Sequence, residues 1–239
     1  GAGRIPTSGL YDTVVDWEHD KDRTLSARLL GDHTLGGQGD LRTALTFADV
    51  AHKEVLGTDP EASYRQRLWS LAGETDWRLR WKTPVRLSLG AAADGADTPE
   101  SGDKPPLGTL WDWGGRVGAT ALLDNGRLSV HGAGGRRARF PALRELYSGA
   151  LGRFLPNPDL RPEVQWTAET GITIRRQRAK LQAVGFYQML EDGIARISVS
   201  TPAGKKYQRV NQGRTTGFGL ELVAESALRT VRYGGDLTL

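Results

Sequence analysis

The residues best suited to chemistry in this sequence are four histidines, His19, His33, His52 and His131, and no cysteine accompanies them. Without thiols the chain has no disulfide, thiolate zinc site or cysteine nucleophile. The histidines are scattered along the chain with no ligand spacing, so neither a metal nor a cofactor is expected. Glu18-His19-Asp20-Lys21-Asp22 is acidic enough to hold a cation loosely, but it reads as a solvated hairpin loop. Gly31-Asp32-His33 with Gly36-Gly37-Gln38-Gly39 reads as a turn region and lacks the strand-to-helix setting of a phosphate loop. Gly132-Ala133-Gly134-Gly135 falls inside a strand pattern, where glycine marks a bend or a close approach. No Ser/His/Asp set and no catalytic carboxylate pair stands out, so the chain is not expected to be an enzyme.

Charge excludes another class. The 32 basic residues are interleaved with 28 acidic ones for a net +4, so no basic stripe offers itself to nucleic acid. What dominates is a period of two. Trp69, Leu71, Gly73, Thr75, Trp77, Leu79 and Trp81 alternate with Ser70, Ala72, Glu74, Asp76, Arg78 and Arg80. The same alternation returns at Trp111–Leu123, at Trp166–Ile174 and at Phe218–Ala224, giving one apolar and aromatic face and one charged face.

About eleven strands follow, near 10–18, 23–31, 40–52, 63–81, 84–94, 110–124, 127–138, 163–174, 179–199, 206–225 and 230–239. Several exceed the usual span of about 3–10 residues in soluble proteins. One or two helical turns are expected only at Ala142–Tyr147. Tight turns at Lys82-Thr83, Asp124-Asn125-Gly126, Arg175–Arg178 and Ser226–Arg229 alternate with long polar segments at 53–62, 95–109 and 139–162. Short turns on one side and long loops on the other is the layout of outer-membrane barrels, with aromatics near strand ends as an interfacial girdle. The fold class expected is all-β, an antiparallel transmembrane β-barrel. The competing architecture is a soluble, carbohydrate-binding sandwich whose apolar face points into a core.

Three motifs carry a family resemblance. Asn157-Pro158-Asp159-Leu160-Arg161-Pro162-Glu163, followed by Trp166 and Glu169-Thr170-Gly171, resembles a stretch of TonB-dependent outer-membrane receptors. Arg139-Phe140-Pro141-Ala142-Leu143-Arg144-Glu145-Leu146-Tyr147 is similar to a loop of that family, and so is Asn211-Gln212-Gly213 with Gly219-Leu220-Glu221. The motifs stand in family order; residues 1–138 match only in general barrel texture. Asn157 through Glu163, with Asn211, Gly213, Gly219 and Glu221, are read as structural: two prolines around an Asx turn restrict the loop and feed an extended strand.

The resemblance implies that residues 1–239 are the C-terminal part of a plugged barrel of about 22 strands, with the plug domain and the last strands lying outside this sequence. It implies a Gram-negative outer-membrane receptor for energy-coupled uptake of a scarce ligand, a siderophore, metal chelate or similar compound; the alternative is a passive porin or structural barrel. Implied partners are outer-membrane lipid and lipopolysaccharide, the plug of the same protein, a TonB-type energy-coupling protein, and a small molecule. Arg136, Arg139 and Tyr147 are the candidate ligand contacts at the extracellular rim. The arginine run from Arg136 serves equally as a snorkelling rim against lipopolysaccharide.

Overall fold

The computed structural model describes residues 3–4, 17–147, 153–202, 204–228 and 230–239. It is all-β. β1 (Gly3–Arg4), β2 (Trp17–Leu35), β3 (Gly39–Leu56), β4 (Ala62–Arg80), β5 (Pro84–Ser101), β6 (Leu110–Leu123) and β7 (Leu128–Arg139) follow one another across a single antiparallel sheet. After the short helix α1 (Leu143–Leu146) and β8 (Phe154–Leu155) the meander resumes with β9 (Glu163–Arg176), β10 (Ala179–Thr201), β11 (Gly204–Leu228) and β12 (Val231–Thr238). Eleven strands form this path, and β8 alone lies off it, pairing in parallel with β11.

Each strand of this path pairs with the next one along it, because a hairpin is the shortest closure available to an alternating chain. Asp124, Asn125 and Gly126 take positive φ values of 46°, 52° and 84°, so the Asn-Gly signal becomes a left-handed turn between β6 and β7. Tight turns after β2, β4, β6, β9 and β11 share one end of the sheet. The longer connections 57–61, 102–109 and 140–162 share the other, together with the short link between β10 and β11.

Apart from one shift in the β4–β5 ladder, register is continuous, so side chains keep one face from strand to strand. Leu29 pairs with Leu45, Leu45 with Leu71, Leu71 with Ala93, and Ala93 with Trp113. Further on, Val130 pairs with Ile172, Ile172 with Ala183, Ala183 with Leu222, and Leu222 with Leu237. Arg78, Arg116, Glu169 and Glu221 stand at the opposite parity. The apolar face is bare: Leu29 is 69% exposed, Leu71 62% and Phe218 83%. The accessible surface is 15706 Å², against roughly 10,500 Å² for a soluble monomer of this mass. A face of this kind needs an apolar solvent rather than a protein core, which excludes the sandwich.

Three sequence expectations need correction. Glu18–Asp22 is not a hairpin loop closing a strand at 10–18; it is the start of β2, and the turn comes at 36–38. Gly31-Asp32-His33 is likewise inside β2. Charge density imitated a loop, but alternate residues of 18–22 face opposite sides and pair with 52–56 of β3. Residues 5–16 of the expected first strand lie outside the described residues. The segment 95–109 also shortens, because β5 runs on to Ser101. Its Pro99 sits where the β4–β5 register shifts between Arg65 and Arg67, a bulge that accommodates a residue without an N–H.

Candidate functional site

The apolar face is bounded by aromatics. Near the long connections, Trp69 meets Trp111 edge-on at 5.4 Å and Trp113 meets Trp166 at 6.2 Å. Gly95 lies under the first pair, and a Cβ there would come within 2.0 Å of the Trp69 ring nitrogen. Toward the tight turns, Trp77 packs over Gly39. Trp69 to Trp77 spans roughly 26 Å of strand, which at the tilt of about 35–45° of membrane strands rises roughly 20 Å, most of the apolar band of about 25 Å. Beyond the Trp69 level the same face turns charged. Asp49 takes two bonds from Arg65 Nε, at 2.8 and 3.1 Å, and is flanked by Arg67 and Arg23.

On the polar face, the connection between β7 and β9 folds back onto the sheet at its long-connection end. Glu145 accepts the Ala142 N–H at 2.9 Å and starts the single turn of α1. The turn buries Leu143, Leu146 and Tyr147 against Tyr64 of β4 and Leu160. Tyr64 and Tyr147 stack at 5.6 Å. These five residues are the hydrophobic cluster of the described chain, and they fasten a loop rather than fill a barrel.

The Asn157–Glu163 segment makes the other attachment. Asn157 Oδ1 accepts the Asp159 N–H at 3.1 Å, an Asx turn, while its Nδ2 donates to the Arg209 carbonyl at 2.8 Å. Leu160 is buried in the cluster. Arg161 N–H donates to Asn211 Oδ1, and Asn211 Nδ2 returns bonds to the carbonyls of Arg161 and Asp192. Arg161 also reaches Asp192 at 2.7 Å, and Glu163 accepts the Ile194 N–H. The loop therefore bridges β4 on one side of the concave face and β10–β11 on the other, through bonds that leave few of the motif's polar groups free. Gly213 has open space around it, whereas a Cβ at Gly219 would meet the Phe186 ring at 2.6 Å. Glu221 shares the polar face with its partner Val184.

The three candidate ligand contacts have internal partners. Arg136 lies 4.4 Å over the Trp113 ring, bonds Asp112 at 2.6 Å and is only 12% exposed along its side chain. Tyr147 is 1% exposed; its hydroxyl accepts the Leu107 N–H and donates to the Pro105 carbonyl. Arg139 holds Glu145 through both terminal nitrogens and Glu163 through Nε. These bonds to the two carboxylates hold its guanidinium pKa well above the ordinary range. Burial pushes the Glu163 carboxyl up, but Arg139 and the Ile194 N–H outweigh it and leave the group below its usual 4.5.

A depressed carboxylate stabilises the fold above its unfolded value and loses that contribution as pH falls through the folded one. Relative to the intrinsic exchange rate at each pH, amide protection of the segment joining β7 to β9 is therefore expected to fall on acidification below pH 4.5, and the Glu163→Gln variant should be less protected already at neutral pH with a flatter acid response. An acid response identical in the two proteins would remove Glu163 from the attachment.

Deeper on the polar face, seven strands line an open cavity of about 670 Å³ bearing Arg28, Asp32, Arg42, Glu74 and Arg116. Arg116 pairs with Glu74, and Arg42 bridges Asp32 and Asp76. Sequence spacing missed one grouping altogether. Asp20, His52 and Glu54 meet on this face because Asp20 stands opposite Glu54 and Asp22 opposite His52 in the β2–β3 ladder. Only the register could have revealed it.

No helix among the described residues is long and apolar enough to cross a membrane. No curated protein matches the chain in sequence. Among solved structures it is similar to the copper transporter OprC, at 18% identity and a TM-score of 0.70 over 92% of this chain and 40% of that one. It is similar to the FrpB iron transporter from Neisseria meningitidis, at 13% identity and a TM-score of 0.72, covering 93% and 36%. A ferric enterobactin receptor mutant from Pseudomonas aeruginosa gives 17% and 0.70, again covering 93% and 36%. The chain thus spans well under half the length of these proteins, and at such identity the likeness shows the fold. The family model described as TonB dependent receptor-like, beta-barrel, matches residues 3–239. The chain belongs to the TonB-dependent receptor β-barrel family, and its sheet is part of a barrel of the Gram-negative outer membrane.

Proposed function

We propose that this chain supplies part of the barrel of an energy-coupled importer for a scarce ligand, a siderophore, metal chelate or similar compound. The family match across residues 3–239 carries this reading. Relatives titled as copper and iron transporters and as a ferric enterobactin receptor support the ligand class. The partners in this reading are a plug domain of the same protein and a TonB-type coupling protein, with lipid and lipopolysaccharide around the barrel. Arg139 and Tyr147 then shape the mouth and Arg136 stands among the girdle rings of Trp113 and Trp166 on the outward face, while exposed parts of the long connections meet the ligand.

The reading is tested in the bacterium carrying the gene. Uptake of a panel of ferric chelates, heme and cupric complexes is measured with the gene intact or deleted, with and without a protonophore. At least one compound should lose uptake on deletion and on collapse of the proton gradient alike. Gene-dependent entry that ignores the protonophore would instead establish the passive porin.

The same reading places the long connections outside the cell. Asp103 has a side chain 91% exposed in the segment 102–109, and the chain offers no competing cysteine. Asp103→Cys should react with a membrane-impermeant maleimide on intact cells. Labelling only after the outer membrane is breached would invert the topology.

A further inference from the structure

We infer that Asp20, His52 and Glu54 form a resident binding site for one first-row divalent transition ion, of the Zn²⁺ type, at the mouth of the barrel. The site is independent of the transported ligand. Each residue offers one donor atom, and all three atoms lie within 4.8 Å of one another. Zinc–nitrogen and zinc–oxygen bonds near 2.0–2.2 Å place donors roughly 3.3–3.6 Å apart. A contraction of about 1 Å, within reach of carboxylate rotamers, therefore closes the set.

Two observations point to an occupant. Glu54 is only 3% exposed and His52 5%. Among the described residues, the Glu54 Oε1 and Asp20 Oδ1 atoms are buried with no hydrogen-bond partner. Buried acceptors are nearly always satisfied, and unfilled ones call for an ion or a donor.

The surroundings are those of a held imidazole. Asp22 Oδ1 lies 2.8 Å from His52 Nδ1. With the proton on Nδ1, the Nε2 lone pair is left to bind the ion beside the Asp20 and Glu54 oxygens, the carboxylate–histidine–metal relay. His52 also stacks on Tyr64 at 5.9 Å, which fixes the ring plane. Arg144 of α1 approaches Asp20 Oδ2 at 3.6 Å and leaves Oδ1 for the ion. One nitrogen and two oxygens select zinc, manganese, iron(II) or cobalt over calcium and magnesium, which take oxygen alone. The ion would pin β2 to β3 directly beneath the turn that carries Tyr147.

The test uses the intact outer-membrane protein containing this chain, purified in detergent without a polyhistidine tag and stripped with chelator. Zn²⁺ is titrated against a fluorescent indicator. The parent should bind one ion more per chain than Glu54→Gln or His52→Ala. Asp22→Asn should keep the stoichiometry with affinity weakened by about 10- to 100-fold. X-ray absorption on the parent at one equivalent of Zn²⁺ should show one imidazole among oxygen ligands, a readout that needs no variant to fold. Equal stoichiometry in parent and Glu54→Gln, or a parent spectrum without imidazole, would overturn the site. Neither result bears on chelate uptake, so the two readings fail separately.

Discussion

Leu220→Arg is expected to remove most of the folded protein from the outer membrane, while Glu221→Arg leaves it there. The two residues are adjacent on β11 and differ only in face. Leu220 pairs with Gly185 in the apolar band, two residues from the bare Phe218–Tyr187 pair; Glu221 pairs with Val184 on the polar face. An arginine on the lipid face near the bilayer midplane costs about 2–4 kcal/mol. That is a large share of the roughly 5–15 kcal/mol by which folded proteins exceed their unfolded states. In the water-filled interior the same side chain stays hydrated. Heat-modifiable mobility of outer-membrane extracts in cold detergent reads the difference. Equal loss of the folded band in both variants would mean that the faces have been assigned the wrong way round.

Tyr147→Ala should release the connection between β7 and β9 without unravelling the sheet. Truncating a buried aromatic costs about 3–5 kcal/mol, and Tyr147 is 1% exposed, stacked on Tyr64 and bonded at its hydroxyl. α1 has one turn, so nothing local replaces that packing. The strand ladders lie outside the cluster. The expected result is a heat-modifiable barrel whose connection is cut by trypsin at Arg144 on intact cells, where the parent resists. Tyr147→Phe keeps the stack and forfeits about 1 kcal/mol of hydrogen bonding, so it should stay protected. Cleavage of Phe and Ala variants at the same rate would show that the hydroxyl, not the ring, holds the loop.

The alternation from Trp69 to Trp81 determined the strand, its two faces and their neighbours, because a strand's side-chain period is two whatever it packs against. Asn125-Gly126 determined a turn for the same local reason, and Asn157–Glu163 with Asn211 carried the family. Locality also set the errors. Glu18–Asp22 looked like a loop since charge on both faces marks solvent, and a strand projecting beyond the aromatic band meets water on both faces too. Which residues meet across the sheet was decided only by tertiary structure. His52 lies 30 residues from Asp22 and touches it; Arg139 reaches Glu163 and Asn157 reaches Arg209 over similar or greater separations. Sequence constrains neighbours through periodicity and turn chemistry. Pairs brought together by register depend on every turn length between them, and a one-residue change in any of these would send the partners to opposite faces.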